Sequence, residues 1–262
     1  MNAYGKESMR PQTFLVGSTQ PDTEGLSAYL HATGQQEFFN QFAEAVDEHG
    51  PICLCSFYAK LCYASLVLGK NANVSKVRDI EENIVSCFVS GHGSVFEHVN
   101  LNFVTTNCSR VFTHELVRHR VGTAFSQTSG RYVSIDEIRL VLPPELITDD
   151  TAHLIDKLRD DMTAGLRAMR EALITPGMSF ADKKRLTSAI RRLAPNGQTN
   201  EIGWSCNIRS LRHMIEMRTS PAAEWEIREV FIDVAKIVQK RWPLMLYGGE
   251  QKEDGSWVKL RV

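Results

Sequence analysis

No run of apolar residues in this 262-residue chain approaches the length of a membrane-spanning helix, and residues 1–13 are too polar for an export signal. The chain is therefore expected in the cytoplasm, with no membrane partner. An excess of one charge is missing too: 30 lysines and arginines face 31 acidic residues, a formal net charge of −1. Without a global positive field, non-specific attraction to nucleic acid is disfavoured, and any anion site must be local. The six cysteines (Cys53, Cys55, Cys62, Cys87, Cys108 and Cys206) never form the paired CxxC units of a zinc site. No metal is expected, and Cys53 and Cys55 read as small buried residues. No repeat, low-complexity tract or linker divides the chain, so residues 1–262 are expected to form one domain, long enough to bury a substantial core.

What the sequence does hold is one concentrated stretch, Arg118-His119-Arg120-Val121-Gly122-Thr123-Ala124-Phe125-Ser126-Gln127-Thr128-Ser129-Gly130-Arg131-Tyr132. It has no clean helical or strand period. Its arginines present planar forks of donors that match a phosphate or the carbonyl edge of a base, and they stay charged at any working pH. Ser126, Thr128 and Ser129 add donors, while Gly122 and Gly130 let backbone N–H groups approach a ligand. The chemistry points to a nucleotide or another multiply anionic ligand; a solvated basic loop is the competing reading.

Along the chain, residues 11–18 read as a strand, 22–32 and 37–48 as helices, and 57–68 as a buried helix. Ser75 is the expected N-cap of a helix carrying Val77, Ile80, Ile84, Val85 and Phe88. Between His98 and Phe103 the period switches to two, with Val99, Leu101 and Phe103 on one face and His98, Asn100 and Asn102 on the other. Ser109 is expected to cap a helix over 111–117 that delivers Arg118 at its C-terminal end. A strand over 140–142, helices over 149–173 and from Ser179 to Arg191-Arg192, and a helix over 231–246 follow. Asn207 is a natural N-cap for a helix with a Leu211, Met214 and Ile215 stripe; Arg209 and His213 share one of its faces, Asn207 and Arg218 another. Residues 1–50 form a strand–helix region, and the tail 248–262 is expected to be loose or to pack on a partner subunit.

Three blocks in order resemble the flavin-dependent thymidylate synthase family: Gly91 to His98, the Arg-His-Arg signature with Ser129-Gly130-Arg131-Tyr132, and Asn207-x-Arg209-Ser-Leu running through Arg218 to Arg228. Arg191-Arg192-Leu193-Ala194-Pro195 resembles a further short block. The spacer from Val121 to Thr128 has eight residues, one more than the family pattern. The resemblance implies an α+β fold, with a central mixed or antiparallel sheet flanked by long helices, in a homotetramer whose sites draw on several subunits. It implies C5-methylation of dUMP to dTMP, with FAD as cofactor and 5,10-methylenetetrahydrofolate and NADPH as co-substrates. It places Glu115, Arg118, Gln127, Ser129, Gly130, Arg131, Arg191 and Arg218 on the nucleotide, with Arg191 and Arg218 at its phosphate. His98, Asn100, Arg118, His119, Arg120, Gln127, Asn207, Arg209 and His213 fall on the flavin.

Arg131 is the candidate for stabilising charge on the pyrimidine carbonyls, Ser129 for positioning the base, and His98 for the flavin side of the chemistry. No cysteine lies inside the signature, so a cysteine nucleophile is not expected. Two other readings remain: a relative that methylates UMP, and a catalytically inert nucleotide- or RNA-binding protein. The balanced charge and the lack of aromatics between the arginines argue against RNA.

Overall fold

The computed structural model describes residues 9–133, 135 and 137–262, so part of the polar segment read at residues 1–13 lies outside the described residues. In chain order the elements are β1 (Gln12–Ser18), α1 (Thr23–Ala32), α2 (Glu37–His49), α3 (Cys53–Cys62), α4 (Ile80–Val89), β2 (Asn100–Ser109), α5 (Arg110–Leu116), β3 (Thr123–Gln127), α6 (Asp149–Leu173), α7 (Phe180–Ile190), β4 (Thr199–Asn207), α8 (Ile208–Arg218), α9 (Trp225–Arg241), β5 (Glu250–Gln251) and β6 (Trp257–Val258). The class is α+β, and the main sheet is antiparallel throughout, in the order β1-β2-β4-β3.

The two central strands alternate as the sequence requires. Leu101 and Phe103 of β2 are buried, as are Ile202, Trp204 and Cys206 of β4, while Asn100 and Asn102 face outward. Trp204 stacks on Phe103 at 4.5 Å between ring centroids, and Phe231 of α9 lies 5.7 Å from Trp204. The indole N–H of Trp204 donates to the Thr105 hydroxyl at 3.1 Å, so the one polar atom of that ring is paired within the core. Burying a ring such as Phe231 contributes roughly 2–3 kcal/mol. That burial fixes α9, and with it α8, against the face of the sheet.

A buried carboxyl ties α9 to the start of α5. Glu226 accepts from Ser109 N at 2.6 Å and from the Ser109 hydroxyl, while Ser109 caps α5 by accepting from Phe112 N at 3.2 Å. Burial pushes the Glu226 carboxyl up to about 7, against the pull of the two Ser109 hydrogen bonds.

Several boundaries differ from the sequence reading. The buried helix expected over 57–68 starts four residues earlier, at Cys53, and stops at Cys62. There the Ser65 N–H folds back to Lys60 O and Ala64 takes a positive φ of 47°. The next helix is capped by Asp79, whose carboxylate accepts from Glu82 N at 2.7 Å, rather than by Ser75. The strand at 140–142 reduces to one bridge, Leu140 with Gln198. The signature, which has no clear period, contributes an edge strand, because Thr123–Gln127 borrows its hydrogen bonds from β4. The helix expected over 231–246 runs instead over Trp225–Arg241, and Pro243 opens a separate short turn.

The tail is not loose. Trp257 and Leu260 are buried, and Glu216 of α8 accepts from Leu260 N at 2.7 Å and Arg261 N at 3.1 Å. The tail thus packs on the chain's own α8.

Candidate functional site

The site is built where the sheet hands over to α8. Asn207 closes β4, caps α8 by accepting from Ser210 N at 2.8 Å, and sits in register with Asn100 of β2. The signature turn folds onto the same point. Asn207 N donates to Gly122 O at 3.0 Å, and the Ser210 hydroxyl donates to Val121 O at 2.6 Å. Gly122 has φ 65°, and a Cβ there would lie 2.2 Å from the Asn207 amide nitrogen. Both its conformation and its closeness to Asn207 require glycine.

Arg218, at the far end of α8, reaches back to α5. Its Nε donates to His119 Nε2 at 2.8 Å and its Nη1 to Glu115 Oε2 at 2.9 Å. Burial, and after it the charges of Arg218 and His213, lowers His119 to about 4. His119 is therefore neutral at pH 7, with Nε2 as acceptor and its proton on Nδ1. Two of the donor positions of Arg218 are thereby anchored by side chains.

Around this pair, His213 lies 6.4 Å from His119 between ring centroids. Arg209, on the exposed side of α8, pairs with Glu97 at 2.6 Å. The neighbouring His98 is exposed and stacks on Tyr58 at 3.9 Å and 17°. Arg120 is exposed in the turn after α5. Arg118 Nη2 lies 3.0 Å from His114 Nε2, and Gln127 Nε2 donates to the Thr113 hydroxyl at 3.2 Å.

Two neighbouring cavities divide the nucleotide candidates. One, of about 770 Å³, is lined by Glu115, Arg118, Gln127 and Arg218. The other, of about 720 Å³, is lined by Gly130 and Arg191. Arg110 and Asn196 stand in the walls of both. Ser129 accepts from Arg131 N at 3.3 Å in the turn beyond β3, and neither residue lines either cavity. Within one chain, then, Arg191 and Arg218 flank a shared wall and Arg131 stands apart. Among the described residues no group of three His, Cys, Asp or Glu side chains gathers as a metal site, and no helix is long and apolar enough to cross a membrane.

The profile of the thymidylate synthase complementing protein family matches residues 45–244. Curated proteins named flavin-dependent thymidylate synthase are similar over most of the chain. That of Clostridium tetani is 31% identical over 211 residues, covering 76% of this chain and 82% of the relative. That of Corynebacterium glutamicum is 32% identical over 223 residues, covering 81% and 86%. That of Mycobacterium avium is 34% identical over 196 residues, covering 72% and 76%. The chain belongs to the flavin-dependent thymidylate synthase family. It is accordingly an enzyme.

In this flavin-dependent thymidylate synthase chain, the fold brings Glu115, His119 and His213 to Arg218 along the C-terminal half of α8, while Asn207 caps its N-terminal end. Sequence reading passed over Arg110, His114 and Asn196. A signal for the first two existed: Arg110, His114 and Arg118 recur at four-residue spacing and so share one face of α5 and the turn that extends it. Asn196 carries no such signal, because it reaches the wall through a loop.

Proposed function

We propose that this chain catalyses flavin-dependent C5-methylation of dUMP to dTMP, with 5,10-methylenetetrahydrofolate as the carbon donor and NADPH as the reductant. The observation that carries the reading is Arg218, gripped by Glu115 and neutral His119 at the wall of a cavity that also holds Arg118 and Gln127. Exchanging the C5 hydrogen for methyl requires electron density on C5, loss of its proton, and a hydride equivalent delivered to the transferred carbon. Preorganised guanidiniums on the pyrimidine carbonyls stabilise the charge that develops there. Arg131 takes that role, Ser129 positions the base, and Arg118, Arg191, Arg218, Gln127, Gly130 and Glu115 complete the nucleotide's surroundings.

The donor set fits a flavin dinucleotide. Arg118, Arg120 and Arg209 suit a pyrophosphate, while His98, Asn100, Asn207 and His213 offer imidazole and amide edges to ring nitrogens and carbonyls. Bound FAD would supply the electron transfer that no side chain can. His119, neutral at pH 7, can donate from Nδ1 while holding Arg218 through Nε2. A single domain assembled as a homotetramer completes the proposal. The exposed stripe of α6, with Leu154, Leu158, Met169 and Leu173 each more than 40% accessible, supports a protein partner there, and further copies would bring Arg131 and Arg191 to the nucleotide.

An absorbance spectrum with and without dUMP, together with product analysis, tests this. Flavin bands that respond to dUMP, and dTMP formed with NADPH and the folate, are the expected result. A colourless protein that takes up no FAD would sink the synthase reading and leave an inert nucleotide binder. Faster turnover of UMP would move the substrate to the ribonucleotide. The longer spacer motivates that second assay: β3 pairs with β4 without a register break, so the extra residue is not looped out within the paired strand.

A further inference from the structure

The two cavities meet at a side chain that neither the motif blocks nor the family carry-over includes. Arg110 is the first residue of α5, it is exposed, and it lines both cavities. Its place is set by the backbone: Arg110 N donates to Asn196 O at 3.0 Å, which ties the start of α5 to the loop that follows Arg191 and Arg192. On its other flank, β2 carries a bulge between Thr105 and Cys108, where Asn107 takes a left-handed φ of 51° and lines the same cavity as Arg191. Bulges of this kind re-aim side chains, and strained non-glycine residues collect beside binding sites.

Among the described residues Arg110 shares its lack of a carboxylate partner with Arg118, Arg191 and Arg192, and it alone of these four lines both cavities. Arg218 is engaged by Glu115, and Arg139 by Glu137 at 3.1 Å. Glu201 also lies on the wall with Arg191. No carboxylate among the described residues forms an ion pair with Arg110. A guanidinium with all its donors available, at the joint of two cavities that divide the nucleotide residues, is suited to a dianionic group bridging them.

We infer that Arg110 binds the phosphoryl group of the substrate nucleotide, as a specificity residue that rewards the phosphorylated substrate over the free nucleoside. This inference rests on the nucleotide reading above and adds a further residue at the phosphate, beside the Arg191 and Arg218 that the resemblance places there. A phosphoryl group could also come from the flavin dinucleotide, and the test separates the two.

The experiment is calorimetry on the flavin-loaded full-length protein with dUMP and with deoxyuridine, comparing wild type, Arg110→Gln and Arg110→Lys. Arg110→Gln is expected to weaken dUMP binding about tenfold, the effect of one charge-assisted hydrogen bond, with deoxyuridine binding, FAD content and melting temperature unchanged. The salt dependence of dUMP affinity should become shallower in Arg110→Gln. Arg110→Lys, which keeps the charge and loses the fork, should fall between. Unchanged dUMP affinity in Arg110→Gln, equal weakening of deoxyuridine, or loss of FAD in place of dUMP affinity would each overturn the assignment. If wild type binds no dUMP, the nucleotide reading fails and takes this inference with it; if wild type binds and the variants do not differ, only the inference fails.

Discussion

Two arginines on α8, six residues apart, have opposite circumstances. Arg212 is 2% exposed, lies over the Phe88 ring at 4.2 Å, and donates to three backbone carbonyls: Leu260 at 2.8 Å, Met245 at 2.7 Å and Tyr247 at 2.9 Å. Its partners are all main chain, so its donors close the C-terminal segment onto the helix and none is left for a ligand. Arg218 is held by two side chains, Glu115 and His119, and lines a cavity. The residue type is the same in both places. Backbone partners make a cation part of the framework, whereas side-chain partners at a cavity wall leave it able to exchange water for substrate.

The largest effect that tests this contrast is on stability. Arg212→Met should lower the unfolding free energy by about 3–5 kcal/mol, because three buried carbonyls lose their donor. Urea denaturation measures it, and a loss below about 1 kcal/mol would mean that Arg212 is no more structural than Arg218.

Glu226 extends the contrast to a buried acid. Its folded-state value of about 7 lies above the 4.5 of a free carboxyl, so the folded chain holds the proton more tightly. The stability this provides is full below about 4.5 and is lost as pH rises through about 7, on the order of 3 kcal/mol in all. Thermal melts from pH 5 to 8 should therefore fall with pH, and Glu226→Gln should flatten that slope. An unchanged slope in the variant would place the titration elsewhere.

Arg218→Ala should act on binding in place of folding. A roughly thirtyfold loss of dUMP affinity is expected, with flavin retained and the melting temperature little changed. Undiminished dUMP affinity by calorimetry would remove Arg218 from the nucleotide site and erase the contrast with Arg212. The smallest expected effect is that of His98→Ala. It should slow NADPH-coupled methylation about tenfold while leaving dUMP affinity within about twofold. Full coupled turnover in that variant would take His98 out of the chemistry and leave it as a surface partner of Tyr58.

Much of the frame was legible because its signals are local. The alternation around Leu101 and Phe103, the caps at Ser109 and Asn207, and the apolar stripe of α8 each follow from a few adjacent residues. The errors had two sources. The cap at Asp79 over Ser75 was a local choice set by one carboxylate on Glu82 N, whereas the tail is ordered by distant chain, Glu216 and Arg212 on α8 holding its backbone.

The signature's residue types, taken alone, pointed to an anionic ligand, since guanidinium charge and fork geometry do not depend on the fold. Its resemblance supplied the family, and the family comparisons bore that out. Which arginine is framework and which faces a cavity was decided only by the tertiary structure. Arg110, Arg212 and Arg218 carry the same side chain, and what separates them is the set of acceptors that folding brings within about 3 Å of each.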